Sequence, residues 1–500
     1  MAAEPASQPP ATTEAARPEN RPDTPSAAYK AMMPNVIVCR DVAKGTTHMR
    51  AQAAEYLPQH PAEERQDYIR RLNRAILFNG FGRTIVGLSG MVFRRDPELS
   101  DDVPEEIQAH LENVDGEGTH IDVFAKDVFD DALEVGHCGI LVDVPQAPKP
   151  PPGQKVLSLA DERAAGIRPR WVKYAKEDII SGRSKVIGEQ HVLTQLVLRE
   201  TVQEPVGAFG DAAVERHRVL RRSDAGVVTY ELWEQPPGKS EPVIVQEEAL
   251  VTNVSEIPFA VVYGKRTGLL KSIPPLVDLA WTNVSHYQVQ SDHLYALHIA
   301  SVPIFVLTGV DPKQTVEVGP NVLIKIPDPQ GDAKYAEHSG AALGQTRQQL
   351  MDFKADMAVL GLAMLQHETR AAETAEAKRI DKSEQDSALA TAARSLQDAL
   401  EVALGFHADF MRLESGGSVV VNRDFEKLTL DAATINAYSQ MAALEQISID
   451  TMWQILAEGG ALPDGFDPET EKDLLEQAQA PTPEPQPVPP PPPAPGTEEE

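Results

Sequence analysis

Residues 340 to 412 constrain the fold most, because they demand two long helices. In the first, Leu343, Leu350, Phe353, Met357, Leu360 and Met364 follow one another at spacings of seven, three, four, three and four. That rhythm is a single narrow apolar stripe on an α-helix. The stripe breaks at His367-Glu368-Thr369-Arg370 and resumes on one face with Leu389, Ala393, Leu396, Leu400, Leu404 and Met411. Neither half carries a group arranged for catalysis. Two long helices about a short polar hinge suit a mechanical part, and periodicity alone is equally satisfied by two core helices of an α-rich domain.

The remaining pattern is mixed. A helix is predicted within 56–77, beginning after Pro61, with Ile69, Leu72 and Ile76 on its inner face. It runs into Gly80, Gly82, Gly87 and Gly90, which suggest bends or close packing. A second helix is expected from Thr119, after the turn at 115–118. Its inner face holds Ile121, Phe124, Ala125, Val128, Ala132 and Val135, and Gly136 suits its end. The run 138–144 has the character of a buried strand stopped by Pro145. Between 171 and 263 the helical period vanishes, and short Val/Leu/Tyr-rich runs separated by Gly and Pro point to an antiparallel sheet with hairpins. After Pro274-Pro275 a helix continues to about 299, and the runs 303–309 and 321–329 suggest a small β-element. The order of elements shows no βαβ alternation, so the fold class is α+β.

Five hundred residues allow two to four domains, and 42% hydrophobic content supports a sizeable core. Both ends are expected to stay unstructured, the first 30 residues for want of periodicity and 481–495 because a polyproline tract cannot build a core. The first 30 residues lack an apolar signal-like region, and the longest apolar runs are too short to span a bilayer. Cys39 and Cys138 belong to no metal-ligand spacing and fit two reduced thiols. A formal net charge of −29 disfavours tight gripping of phosphates; an ordinary solvated acidic surface accounts for most of it, and the alternative is a surface that nucleic acid slides past.

The search for chemistry is nearly empty. The run 236–240, PPGKS, lacks the first glycine of a phosphate loop and precedes no helix. Neither a nucleophile elbow nor an HExxH pair occurs. His286, His293 and His298 share one helix without the spacing of metal ligands and suit a polar helix surface better. His137 beside Cys138 suits buried packing rather than a thiol–imidazole pair.

Several blocks, taken in order, resemble one family. They include 56–97, 113–145, 274–309, 357–365, 373–404, VNRDF at 421–425 and 447–471. Together they resemble tailed-bacteriophage portal proteins of a group long catalogued as a phage domain of unknown function. One departure falls at 177–183, where a tryptophan is expected near Gly182.

The resemblance implies a portal-like architecture: an α/β wing, a two-helix stem, a small β-containing clip, a helical crown and unstructured Pro-rich termini. The corresponding segments are an N-terminal arm 1–34, a wing 35–265, a stem helix 266–299, a clip 300–339, a second stem helix 340–366 and a channel loop 367–378. A long wing helix with its return strand follows at 379–425, then a crown at 426–478 and a tail at 479–500. It further implies a ring of about twelve copies at one capsid vertex, present in the virion and assembled in the host cytoplasm, with neither catalysis nor cofactor nor metal nor membrane. The implied partners are the large terminase subunit, major capsid and scaffold proteins, head-completion or tail adaptors, and transiently contacted double-stranded DNA. His367, Arg370, Lys378 and Arg379 become candidates for DNA contact, although Glu373, Glu376 and Asp381 could pair with the basic groups instead. The alternative is another phage structural or adaptor protein without a channel.

Overall fold

The computed structural model describes residues 21–145, 167–236, 241–301, 304–309, 326, 328–336, 341–365, 387–423, 425, 439–442, 447–458 and 467–472. The chain divides into two compact units, Met1–Arg423 and Asp424–Glu500.

The first unit opens on α1 (Ala27–Ala43), started by Ser26, whose hydroxyl accepts from the Tyr29 N–H. This helix begins inside the 1–34 segment expected to be unstructured. Pro34, inside it, masks the helical signal, while Val36, Val38, Cys39 and Val42 bury a face that local pattern undervalued. Then come α2 (Thr46–Ala51), α3 (Ala53–Tyr56), α4 (Arg65–Arg74) and α5 (Gly80–Val92). Helix α4 turns a different face inward from the one expected. Ile69 and Ile76 are exposed, while Tyr68 and Arg71 are buried. The Arg71 guanidinium is paired with the buried Glu63 carboxylate at 2.8 Å, so an ion pair displaces the aliphatic stripe.

After β1 (Glu98–Leu99) and α6 (Glu105–Leu111) comes α7 (Ile121–Val135). His120, rather than Thr119, caps α7. All six expected inner residues are buried. Gly136 ends the helix at φ +99°, and a Cβ there would lie 2.6 Å from Ser272 Oγ, so both backbone and space demand glycine.

Strands β2 (His137–Asp143), β3 (Arg170–Tyr174) and, later, β9 (Phe259–Tyr263) form an antiparallel sheet in the order β3-β2-β9. A 3-10 turn at Lys176–Asp178 leads into a five-stranded antiparallel meander: β4 (Ile179–Ile187), β5 (Gln190–Val206), β6 (Gly210–Arg222), β7 (Val228–Glu234) and β8 (Val243–Val251). Leu141, Tyr174, Leu196, Leu198, Leu220 and Phe259 make one core across both sheets. At Gly182, on β4, an added Cβ would fall 2.2 Å from Leu270 Cδ1, so Leu270 packs directly against this glycine.

Two short strands, β10 (Arg266–Gly268) and β11 (Lys271–Ser272), precede α8 (Val277–Ala300). Strand β12 (Ile304–Leu307) pairs antiparallel with β13 (Ala333–Ala336). The strand expected at 321–329 lies mostly outside the described residues, and β13 was not anticipated. Helix α9 (Ala341–Leu362) ends in a 3-10 turn at Ala363–Leu365, and α10 (Ala388–Met411) packs on β9, β2 and α7. Leu389, Ala393, Leu396, Leu400 and Leu404 are all buried, as the stripe required. Strand β14 (Val419–Val420) returns to pair with β1. The architecture is α+β.

In the second unit, α11 (Ile449–Glu458) starts at Ser448, whose hydroxyl accepts from the Thr451 N–H. Lys472 reaches back to Asp450 at 2.9 Å.

Candidate functional site

Helices α8 and α9 form a two-helix arm that emerges from the body of the first unit. Each carries more than twenty residues, so each runs over about 30 Å at a rise of 1.5 Å per residue. The stripe on α9 faces inward: Met357 and Met364 are buried, while Leu343, Leu350, Phe353 and Leu360 are half-buried. It lies against α8 and α5 of the same chain. The stripe is therefore covered within the chain.

Polar contacts fix the arm. Asn283 is fully buried; its Oδ1 accepts from the Phe81 N–H at 3.0 Å and its Nδ2 donates to the Phe78 carbonyl at 2.8 Å. A single amide thus locks α8 onto the start of α5. Gly361 lets α9 approach α5, since a Cβ there would sit 2.9 Å from Thr84 Cγ2. Farther out, a ring nitrogen of His293 and the Thr346 hydroxyl lie 2.7 Å apart and link the two helices. His286 is buried rather than on a polar surface, with its ring 5.6 Å from that of Phe78. Burial first, then the Lys354 ammonium, pushes its pKa down to about 4. Asp292 sits 3.6 Å from the Arg71 guanidinium and 3.9 Å from His60.

Replacing Asn283 by alanine strands the buried Phe81 N–H and the Phe78 carbonyl. We expect a loss of about 2–4 kcal/mol in unfolding free energy. A denaturant midpoint unchanged from the parent would refute this role.

Several apolar side chains along the arm are nevertheless exposed. Trp281 is 49% exposed, Val359 62% and Leu362 56%, with Met351, Leu297 and Ile299 similarly open. Isolated exposed apolar side chains are ordinary; six of them, several large, along one pair of helices are not. Charge is sparse: α8 contains two aspartates and neither lysine nor arginine. Beyond the arm, the rings of Phe305 and Tyr335 meet at a tilt of 56° across the β12–β13 pair, with centroids 5.1 Å apart.

The proposed DNA contacts, His367, Arg370, Lys378 and Arg379, lie outside the described residues, as do Glu373, Glu376 and Asp381. So does most of the PPGKS run. Among the described residues, no group of three or more His, Cys, Asp or Glu side chains could hold a metal ion, and no helix is long and apolar enough to cross a membrane. Cys138 is buried against the Tyr174 carbonyl and Asp131, and His137 pairs with Ser272 at 2.6 Å. The two neighbours face different partners, as packing residues do.

Two buried polar clusters escaped the sequence reading. Arg40 of α1 meets Asp131 and Glu134 of α7 and Glu177 of the 3-10 turn. Trp171 Nε1 donates to His407 Nδ1 at 3.2 Å, which leaves the proton of His407 on Nε2, 3.0 Å from His110 Nδ1. This relay ties β3, α10 and α6 together.

Residues 275–411, which hold the arm and α10, match a family model described as "Domain of unknown function (DUF4055)". A search of curated proteins finds no match. Among solved structures, a chain of the virion of a native gene transfer agent (GTA) particle is 12% identical, with 85% of this chain and 97% of that chain covered and a TM-score of 0.36. A chain from the neck of an empty GTA particle computed with C6 symmetry is 12% identical, covering 79% and 89% at a TM-score of 0.37. One from the neck of a native GTA particle computed with C12 symmetry is 12% identical, covering 86% and 98% at 0.37. At this level of likeness no assignment is carried across.

Proposed function

We propose that the chain is the subunit of a cyclic portal ring of a tailed phage or phage-like particle, a structural DNA conduit rather than an enzyme. The observation that carries this reading is the two-helix arm with its exposed apolar side chains. One set of apolar side chains on the arm packs within the chain, and the exposed set stays in water until a second surface covers it. A ring of such arms side by side buries the exposed set against the next copy. The strongly acidic composition suits a channel wall that repels phosphates. In the ring, the hinge after α9 would stand at the bore, where Arg370, Lys378 and Arg379 could touch DNA intermittently.

The purified protein should form a species near 650 kDa, about twelve copies of the 54.5 kDa chain, by mass photometry and negative-stain imaging. Replacing Trp281 and Val359 by serine should shift it toward monomer while leaving the melting temperature of the monomer unchanged. Monomer and dimer alone at micromolar concentration, across a range of salt, would reject the ring. Exchanging Arg370, Lys378 and Arg379 for glutamate should leave rings intact and lower packaged DNA.

A further inference from the structure

The five-stranded meander ends in two open strands of opposite character. The start of β4 is closed by Ser26, whose N–H donates to the Ile180 carbonyl at 3.2 Å. Among the described residues, no backbone hydrogen bond from outside the sheet reaches 183–187 or 243–251. Open edges attract other strands and are commonly blunted by charge. Here the charges differ in sign. The open half of β4 carries Arg183 and Lys185, followed by exposed Val186 (62%) and Ile187. Strand β8 carries Glu247 and Glu248, flanked by exposed Val243, Ile244, Val245 and Leu250 (59%).

Four successive antiparallel pairings leave β4 and β8 running in the same direction. One row of partners, Arg183–Gln195–Arg221–Thr229–Leu250, crosses the whole sheet, so Arg183 and Leu250 share a face. Glu248 lies on it too, since the Thr229 hydroxyl donates to its carboxylate at 2.8 Å. The irregularity between Arg183 and Ser184 places its extra residue, Thr194, on β5, so β4 keeps its alternation and Lys185 shares the face of Arg183.

We propose that the β8 edge of one copy pairs in parallel with the β4 edge of the next, carrying the sheet from subunit to subunit. A register that keeps the faces matched sets Lys185 beside Glu248, Ile187 beside Leu250 and Val186 beside Ala249, with Arg183 one step along. The alternative, a two-fold pairing of like edges, would set Glu247 and Glu248 against their own copies, or Arg183 and Lys185 against theirs, and like charges across strands repel. A β8-to-β4 junction uses a different surface on each side, so it closes only as a ring or continues as a filament. The inference rests on the ring reading above and adds a second contact outside the arm. The existing Lys185–Asp224 pair is exposed on both sides and too weak to hold Lys185 back.

Cys39 and Cys138 are both buried, so introduced cysteines supply the accessible thiols. The double variant Ser184→Cys, Glu247→Cys, treated with a short bis-maleimide, should give a covalent ladder of dimers, trimers and larger species. Each single variant should give none. Separately, Arg183→Glu with Lys185→Glu should weaken ring association by roughly tenfold per junction, and adding Glu247→Lys with Glu248→Lys should restore it. Rings without a ladder overturn the junction and leave the ring reading intact. A ladder that stops at dimers overturns it in favour of two-fold pairing. Absence of both rings and ladder overturns junction and ring together.

Discussion

Replacing Arg40 by alanine should cost about 3–5 kcal/mol of folding free energy, because it leaves buried carboxylates without their shared counter-charge. One guanidinium serves three carboxylates drawn from two elements. Its Nη1 lies 2.7 Å from Asp131 and 3.0 Å from Glu134, and its Nε lies 2.6 Å from Glu177. All four side chains are largely buried. Without Arg40, Lys173 still reaches Asp131 at 3.4 Å, but Glu134 and Glu177 lose their main counter-charge. Burial pushes the Glu134 carboxyl up to about 7 even with Arg40 present to draw it down. Loss of the guanidinium raises it further. A carboxyl whose folded pKa stands above its unfolded one loses stability as pH rises between the two, so the defect should be larger at pH 8 than at pH 6. Chemical denaturation of parent and variant at both values checks this. A loss below about 1 kcal/mol, or one that grows on acidification, would show that the cluster does not hold α1 to α7 and the 3-10 turn.

Acidification should destabilise the first unit well before its carboxylates are titrated as a class. Burial holds His407 at about 3, with His110 and Arg168 adding to the effect, and holds His286 at about 4. Burial, and then the Lys176 ammonium, also holds His137 well below the usual imidazole range, and burial lowers His217 and His110. For each, the unfolded chain binds a proton that the folded chain refuses. Stability is therefore complete above the unfolded value and falls as pH drops from about 6.5 toward the folded value. His407 and His286 each contribute a loss of at most about 2 kcal/mol at pH 5, at 1.36 kcal/mol per pKa unit, and His137, His217 and His110 act in the same direction. Glu134 acts in the opposite sense over pH 4.5–7 and returns roughly 2 kcal/mol. The histidines win, and a net loss on the order of 3 kcal/mol is expected between pH 7.5 and pH 5. Thermal unfolding at the two values measures it. His286 separates cause from coincidence, because its Nδ1 is buried without a hydrogen-bond partner. His286→Leu should be nearly neutral at pH 7.5 and should lessen the acid loss. A melting temperature independent of pH over this range would contradict the buried histidine account.

What the sequence by itself determined was local. The stripe from Leu343 to Met364, the face from Leu389 to Leu404, the inner residues of α7 and its glycine stop, and the antiparallel strands between 171 and 263 all follow from periods of 3.6 and 2. Those periods are set by backbone geometry within a few residues. The α+β class follows from their order. Tertiary structure decided which partner each face meets. The stripe on α9 is covered by α8 and α5, and the apolar residues left exposed on the arm, Trp281, Val359 and Leu362 among them, fall on no single spacing pattern. Arg71 took the inner face of α4 from Ile69, because a buried Glu63 stood opposite. Arg40 found its carboxylates 91, 94 and 137 residues away, and His407 found Trp171 at a separation of 236. The energy of a buried charge or imidazole depends on groups that only the folded chain brings within 3 Å, and no local period records them.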